Sequence, residues 1–401
     1  MPSPAAPART ERQRAERLWA ALLAATLLNL PLGSVYSFSV FLRPIEADLA
    51  IPRSALSLVF GLATVGFTVG SVGAAFLFRI AAAPVLVFAA AALAATGIAI
   101  AATAHGMAQL LLGYGVVFGT GGGIAYILLQ QGVNMLVRRR RGLVNGYIVS
   151  LYPLGAMIAT PAFHWSNEAF GWRTTLAGLA IVLLAAGTAA ALLARHGGAR
   201  LTITPGSAPT RPAALGLTFL KLSATFFLAA AAGLMVLSQA REIIAAYGGA
   251  TTLAVIATTA ITGAIALARV SGGWLVDRFA VPHVMCAAHA LALCGGLLLT
   301  LFPTPTTAVL ALGMIGMGYG FISGSTAGGV AIYWPPQDFG RVAGRTYIAW
   351  CLAAVSLPVL AGYLFDLTRG YQAAMAIAGC GNLLGMAAAL TLPRQGWSGK
   401  A

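Results

Sequence analysis

RHGGARLTITPGSAPTRP, residues 195–212, is the stretch that decides how this chain is built. It mixes Gly, Pro, Thr and Arg, supports no helical or strand pattern, and reads as a linker. On both sides the sequence turns apolar in long runs. A bilayer span needs about 20 mostly apolar residues. Six segments qualify before the linker: 18–42, 54–78, 83–103, 107–137, 142–163 and 173–194. Six more follow it: 214–240, 251–275, 282–302, 306–332, 345–365 and 372–392. They are called spans 1 to 12 in chain order. The composition agrees, with 59% hydrophobic and 8% charged residues, where a soluble domain carries about 25% charged residues. The expected fold is an all-α membrane protein of twelve transmembrane helices in two six-helix halves.

Charge placement supports the same count. The formal net charge is +15. With the N-terminus inside, 18 of the 24 Lys and Arg residues fall on the cytoplasmic side. Five fall outside (Arg43, Arg53, Arg173, Arg241 and Arg369), and one, Arg269, lies within a span. That bias is the positive-inside pattern, so no nucleic-acid partner is needed to explain the charge. It sets the expected organisation. Residues 1–17 form a disordered cytoplasmic tail and 18–194 an N-terminal six-helix half. A cytoplasmic linker covers 195–213, a C-terminal half 214–392, and a second cytoplasmic tail 393–401. The expected location is the inner cell membrane, with both termini cytoplasmic and a monomer as the working unit. The first apolar run is too long for a signal-peptide core and is read as a retained helix.

The chemistry centres on ITGAIALARVSGGWLVDRF, residues 261–279. Asp277 and Arg278 mark the cytoplasmic end of span 8. Arg269 lies eight residues deeper, about 12 Å along a helix. A cation at that depth costs about 2.5–3.5 kcal/mol unless it is compensated. All nine acidic residues fall in tails, loops or span ends. A visiting anion is therefore expected to supply the counter-charge, and a planar guanidinium suits a carboxylate. Helix carbonyls or Asp277 are the structural alternative.

Other intramembrane polar groups are weaker candidates. Pro31 and Gly33 favour a break in span 1, where Tyr36, Ser37 and Ser39 could line a cavity. Span 4 places Tyr126 and Gln130 on one face, and span 5 places Tyr152 beside Pro153; for these, cavity lining and plain packing both remain open. His289 reads as a packed, hydrogen-bonded residue rather than a proton relay. Cys286, Cys294, Cys351 and Cys380 show no metal spacing and read as packing thiols. The run Arg138 to Arg141 reads first as an anchor on anionic lipid and second as part of a cytoplasmic gate. No cofactor or metal is implied.

Three stretches together resemble the oxalate/formate antiporter family of the major facilitator superfamily and its monocarboxylate-transporter relatives. They are YSFSVFLRPIEADLAIPRSALSLVFGL (36–62), RRGLVNGYIVSLYPLG (140–155) and FFLAAAAGLMVLSQA (226–240), the last followed by ARVSGGWLVDR in span 8. Two six-span halves joined by a cytoplasmic linker also match the major facilitator layout. The resemblance implies that Arg269 binds a carboxylate and that Tyr36, Tyr126, Tyr152 and Trp350 line the cavity. It implies a loop motif of Gly273, Asp277 and Arg278, and Arg141 of the basic run is grouped with it as a gating candidate. After span 2 the matching stretch is GAAFLFR (73–79), which has lost its Asp. Where the oxalate carrier uses a span-11 lysine, this chain has Ala353 or Ala354. Where animal monocarboxylate carriers place an Asp one turn before the span-8 arginine, it has Ile265. One cation instead of two argues for a monocarboxylate over a dicarboxylate. A counter-anion or a proton could travel with it.

Two rival readings stay open at this level. An efflux carrier for hydrophobic compounds would use the same fold but not need Arg269. A membrane sensor or scaffold would usually carry a soluble signalling domain, and no loop here is long enough for one. An integral membrane enzyme would want a His, Asp or Cys cluster, which the chain lacks.

Overall fold

The computed structural model describes residues 5–201 and 214–396. Among them every regular element is helical. Eleven helices are long and apolar enough to cross a bilayer. One of these, Arg141–His196, has 56 residues. At 1.5 Å per residue it would run about 84 Å, nearly three times the roughly 30 Å hydrocarbon core. Gly171, at φ 80° and ψ 162°, breaks it in two. Only glycine adopts that conformation cheaply. Spans 5 and 6 lie on either side of the break, which makes twelve. Large apolar side chains such as Leu58, Val69, Ile181 and Leu384 are exposed on the helix flanks, as lipid contact requires.

The helix of span 1 begins at Ala5, where the sequence suggests a disordered tail. Arg12 and Glu16 pair one turn apart at 3.2 Å. Arg14 donates through Nε and Nη2 to the Leu136 carbonyl at 3.2 and 3.0 Å. The polar extension is thus tied to the end of span 4. Of the expected linker, residues 202–213 lie outside the described residues, as do 397–401 of the second tail.

Pro31 and Gly33 do not break span 1. The backbone tightens into a 3₁₀ helix over Gly33–Phe41 and resumes as α-helix over Leu42–Leu49. Span 4 loosens instead, into a π-helix over Leu111–Phe118. The two irregular stretches meet through Phe38 and Tyr114, whose ring centroids are 4.6 Å apart.

The chain divides into two compact units. Unit 1 takes 1–139, 158–212 and 336–345; unit 2 takes 140–157, 213–335 and 346–401. The opening of span 5 therefore belongs to unit 2, while the opening of span 11 belongs to unit 1. Glycines make both close approaches possible. A Cβ on Gly146 would sit 2.5 Å from the Arg269 carbonyl oxygen, and one on Gly344 would collide with the Ser71 carbonyl oxygen.

Candidate functional site

Arg269 is buried in unit 2, with 3% of its surface exposed. Its surroundings follow from a proline. In an α-helix the Val149 carbonyl would accept the amide hydrogen four residues on, but residue 153 is proline and has none. The freed carbonyl takes Arg269 Nη1 at 3.0 Å. Nη2 donates to the Tyr319 hydroxyl at 3.1 Å, and the guanidinium carbon lies 5.2 Å from the Tyr319 ring centroid. Hydrogen bonds to a charged group contribute about 1.5–3 kcal/mol each, and a cation–π contact adds about 0.5–2 kcal/mol. Together these match the cost of holding a cation at that depth. A helix carbonyl, the alternative raised from the sequence, is thus one of its partners. Asp277 is used elsewhere.

Tyr319 is the organiser that the sequence reading missed. Its hydroxyl also accepts Trp350 Nε1 at 3.1 Å. A phenol oxygen has two lone pairs and one hydrogen. With a guanidinium and an indole donating to the oxygen, the hydrogen is left to donate. The trio therefore offers a cation and a polarised O–H, a combination suited to an anionic oxygen. Room for the ring comes from Gly233 of span 7, where any Cβ would overlap it. Ile265 and Ala353 are fully buried and apolar, so neither adds a charge beside Arg269.

Trp350 joins Arg269 through Tyr319, and Tyr152 lies buried one helical turn beyond Val149. Tyr36 and Tyr126 belong to unit 1. Tyr36 is half-buried; Tyr126 is buried, its ring centroid 5.6 Å from that of Phe67. His289 is buried and bonded through Nδ1 to Asn382 Oδ1 at 2.9 Å.

The loop-motif residues meet the opening of span 5. Asp277 accepts the amides of Gly142 at 2.7 Å and Leu143 at 2.8 Å. These are orphan donors of a helix whose preceding residue, Arg140, has φ 56° and supplies no cap. A carboxylate suits that end of the helix dipole, worth about 1 kcal/mol. Gly273 and Gly142 are in close backbone contact. Arg278 stacks on Trp274 at 4.1 Å. Arg141 Nη1 donates to the Ala331 carbonyl at 3.2 Å, and burial pulls its guanidinium below the usual value.

Solved structures share the fold. The transporter FucP in its outward conformation superposes with a TM-score of 0.73 at 15% identity, covering 95% of this chain and all of that one. The proton:xylose symporter XylE, bound to 6-bromo-6-deoxy-D-glucose, gives 0.70 at 14% identity, covering 93% and 95%. The fold is that of a polytopic helical membrane protein. More particularly, the chain belongs to the Major Facilitator Superfamily, whose family model matches residues 22–328. Among curated relatives, Monocarboxylate transporter 11 of Mus musculus is 27% identical over 350 residues, 80% of this chain and 75% of that protein. The uncharacterized MFS-type transporter YhjX of Escherichia coli K12 is 27% identical over 139 residues, 35% of each chain.

Proposed function

We propose that this transporter is a secondary active carrier that moves a small organic anion, a monocarboxylate, by alternating access across the inner cell membrane, with both termini cytoplasmic. The two six-span halves, 18–194 and 214–392, are the moving bodies, and a counter-anion or a proton is the co-substrate. The observation that carries the reading is the buried trio of Arg269, Tyr319 and Trp350, with cationic and hydroxyl donors at one place. The similarity to Monocarboxylate transporter 11 supports the substrate class. The lining roles of Tyr36, Tyr126, Tyr152 and Trp350 are part of the proposal.

The geometry suggests how binding is felt. Arg269 spends Nη1 on the Val149 carbonyl, in the opening segment of span 5. A carboxylate that takes the guanidinium in a bidentate fork competes for that donor. Binding then loosens a tie between spans 5 and 8. Without an anion the Val149 and Tyr319 bonds keep the cation compensated, so the tie holds until an anion replaces it.

The test is uptake into proteoliposomes from a panel of labelled monocarboxylates, with Arg269→Gln beside the wild type. Loss of a charge-assisted pair of bonds predicts roughly 10- to 100-fold lower kcat/KM for every acid accepted. Equal uptake by both proteins removes Arg269 as the anion site, and a wild type that takes up none of the acids favours a carrier of hydrophobic compounds.

A further inference from the structure

The openings of spans 5 and 11 are built alike. Gly142 and Gly146 stand four residues apart in one, and Gly340 and Gly344 in the other. In unit 2 the oxygen meeting the first glycine amide is Asp277 Oδ1, 2.7 Å from the nitrogen and 3.0 Å from where a Cβ would lie. In unit 1 it is Gln131 Oε1, 2.7 Å from the Gly340 nitrogen and 3.1 Å from its would-be Cβ. Asp277 ends the loop motif after span 8. The matching position after span 2 is Phe78, whose ring lies against Gly340. A hydrocarbon stands where the carboxylate should be, and the cap arrives from span 4.

We propose that Gln131 is the positioning residue that replaces the lost carboxylate and holds the opening of span 11 closed against spans 2 and 4. Its side chain is fully buried. While Oε1 caps Gly340, Nε2 donates to the Leu201 carbonyl at 3.0 Å and the Pro336 carbonyl at 3.2 Å. One amide thus ties together the end of span 4, the first part of the linker and the turn before span 11. A carboxylate could make the cap but not the two donations. Span 11 is also shared: residues 336–345 belong to unit 1 and 346–401 to unit 2. A stiff helix cannot follow two moving bodies, so when the units move in transport one set of contacts gives way. The Gln131 bonds to Gly340 and Pro336 tie that short segment to span 4, and they break together. This inference needs a transporter with moving units; it does not depend on the cargo being an anion.

The test uses a cysteine-free protein carrying Ala343→Cys as reporter, purified in detergent. Ala343 lies on the 336–345 segment itself and is buried. Its labelling rate by a soluble maleimide reads how often the span 11 opening comes away. Gln131→Ala should raise the rate about 5-fold, the equivalent of one net hydrogen bond. Adding Phe78→Asp to that variant should restore the carboxylate of the sister site and bring the rate most of the way back. An unchanged rate in Gln131→Ala overturns the proposal. So does a raised rate that Phe78→Asp fails to lower, since the glutamine would then only fill space.

Discussion

The opening of span 5 and the opening of span 11 share a backbone solution and differ in chemistry. Both bring a glycine pair against a neighbouring helix, and both receive an oxygen on the second residue of the helix at 2.7 Å. The span 5 cap is a carboxylate that takes two amides and lies eight residues from Arg269 on the same helix. The span 11 cap is a neutral amide with two further bonds to carbonyls. Close packing therefore sets where a cap must be, while its charge is free to vary. The charged site is wired to the candidate substrate site: Gly146 presses on the Arg269 carbonyl, and Val149 accepts its guanidinium. The neutral site is wired to the linker.

The hardest test of the likeness is to fill the glycines. Gly146→Val would bring a methyl-bearing carbon to 2.5 Å from the Arg269 carbonyl oxygen, and Gly344→Val would bring one closer still to that of Ser71. Overpacking of this kind costs about 1–3 kcal/mol. Each variant should lose roughly 10- to 100-fold in transport rate, with the protein still monodisperse. If Gly344→Val transports normally while Gly146→Val does not, the two openings are not equivalent and the close approach in unit 1 is incidental.

The fold was legible because hydropathy and charge are direct records of a membrane environment. The span count and the break between spans 5 and 6 follow from runs of apolar residues and what interrupts them. Arg269 was legible for the same reason: a guanidinium inside an apolar run is conspicuous. Tyr319 was not, since a tyrosine in the glycine-rich GMGYG stretch, residues 316–320, looks like any packing residue until its partners on spans 8 and 11 are placed. Gln131 was invisible for a geometric reason, with partners 70, 205 and 209 residues away. Pro153 lay between these cases. Noted only as a neighbour of Tyr152, it already implied a vacant carbonyl at Val149, because a proline strips the acceptor four residues before it of its donor. Over residues 5–17 the expected tail misled because its arginines and prolines conceal a helical run beginning at Ala5, while residues 1–4 lie outside the described residues.

That vacant carbonyl allows the link between gate and site to be adjusted rather than broken. Pro153→Ala returns an amide donor to Val149, so Arg269 Nη1 no longer has that acceptor to itself. The guanidinium becomes freer for a substrate carboxylate, and KM should fall about 5-fold. The turnover rate should fall with it, because binding no longer has a tie to loosen. Concentration-dependent uptake measures both. A raised KM would mean that the Val149 bond holds Arg269 in its binding pose instead of competing with the substrate.

A third carboxylate separates charged from neutral fastenings by pH. Asp48, in unit 1, forms an ion pair with Arg173 and accepts Trp172 Nε1 at 3.2 Å. Arg173 also stacks on Trp172 at 4.2 Å and donates to the Ala104 carbonyl at 2.8 Å. The clamp joins the ends of spans 1 and 3 to the start of span 6. The hydrogen bond from Arg173 holds the Asp48 carboxyl below its usual range. A folded-state pKa below the unfolded one contributes stability that is present above the unfolded value, about 4. It is lost as pH falls through the folded value. In detergent, followed by tryptophan fluorescence, the wild-type unfolding midpoint should drop as pH falls below about 4. In Asp48→Asn that component of the drop should be missing. At neutral pH the variant should be only slightly less stable, because Arg173 and Asp48 are 37% and 43% exposed and water screens the pair. Gln131→Ala, which removes a neutral cap, should keep the wild-type pH dependence while lowering the midpoint at every pH. Identical pH curves for wild type and Asp48→Asn would mean that the clamp contributes nothing and that the acid response comes from another carboxylate.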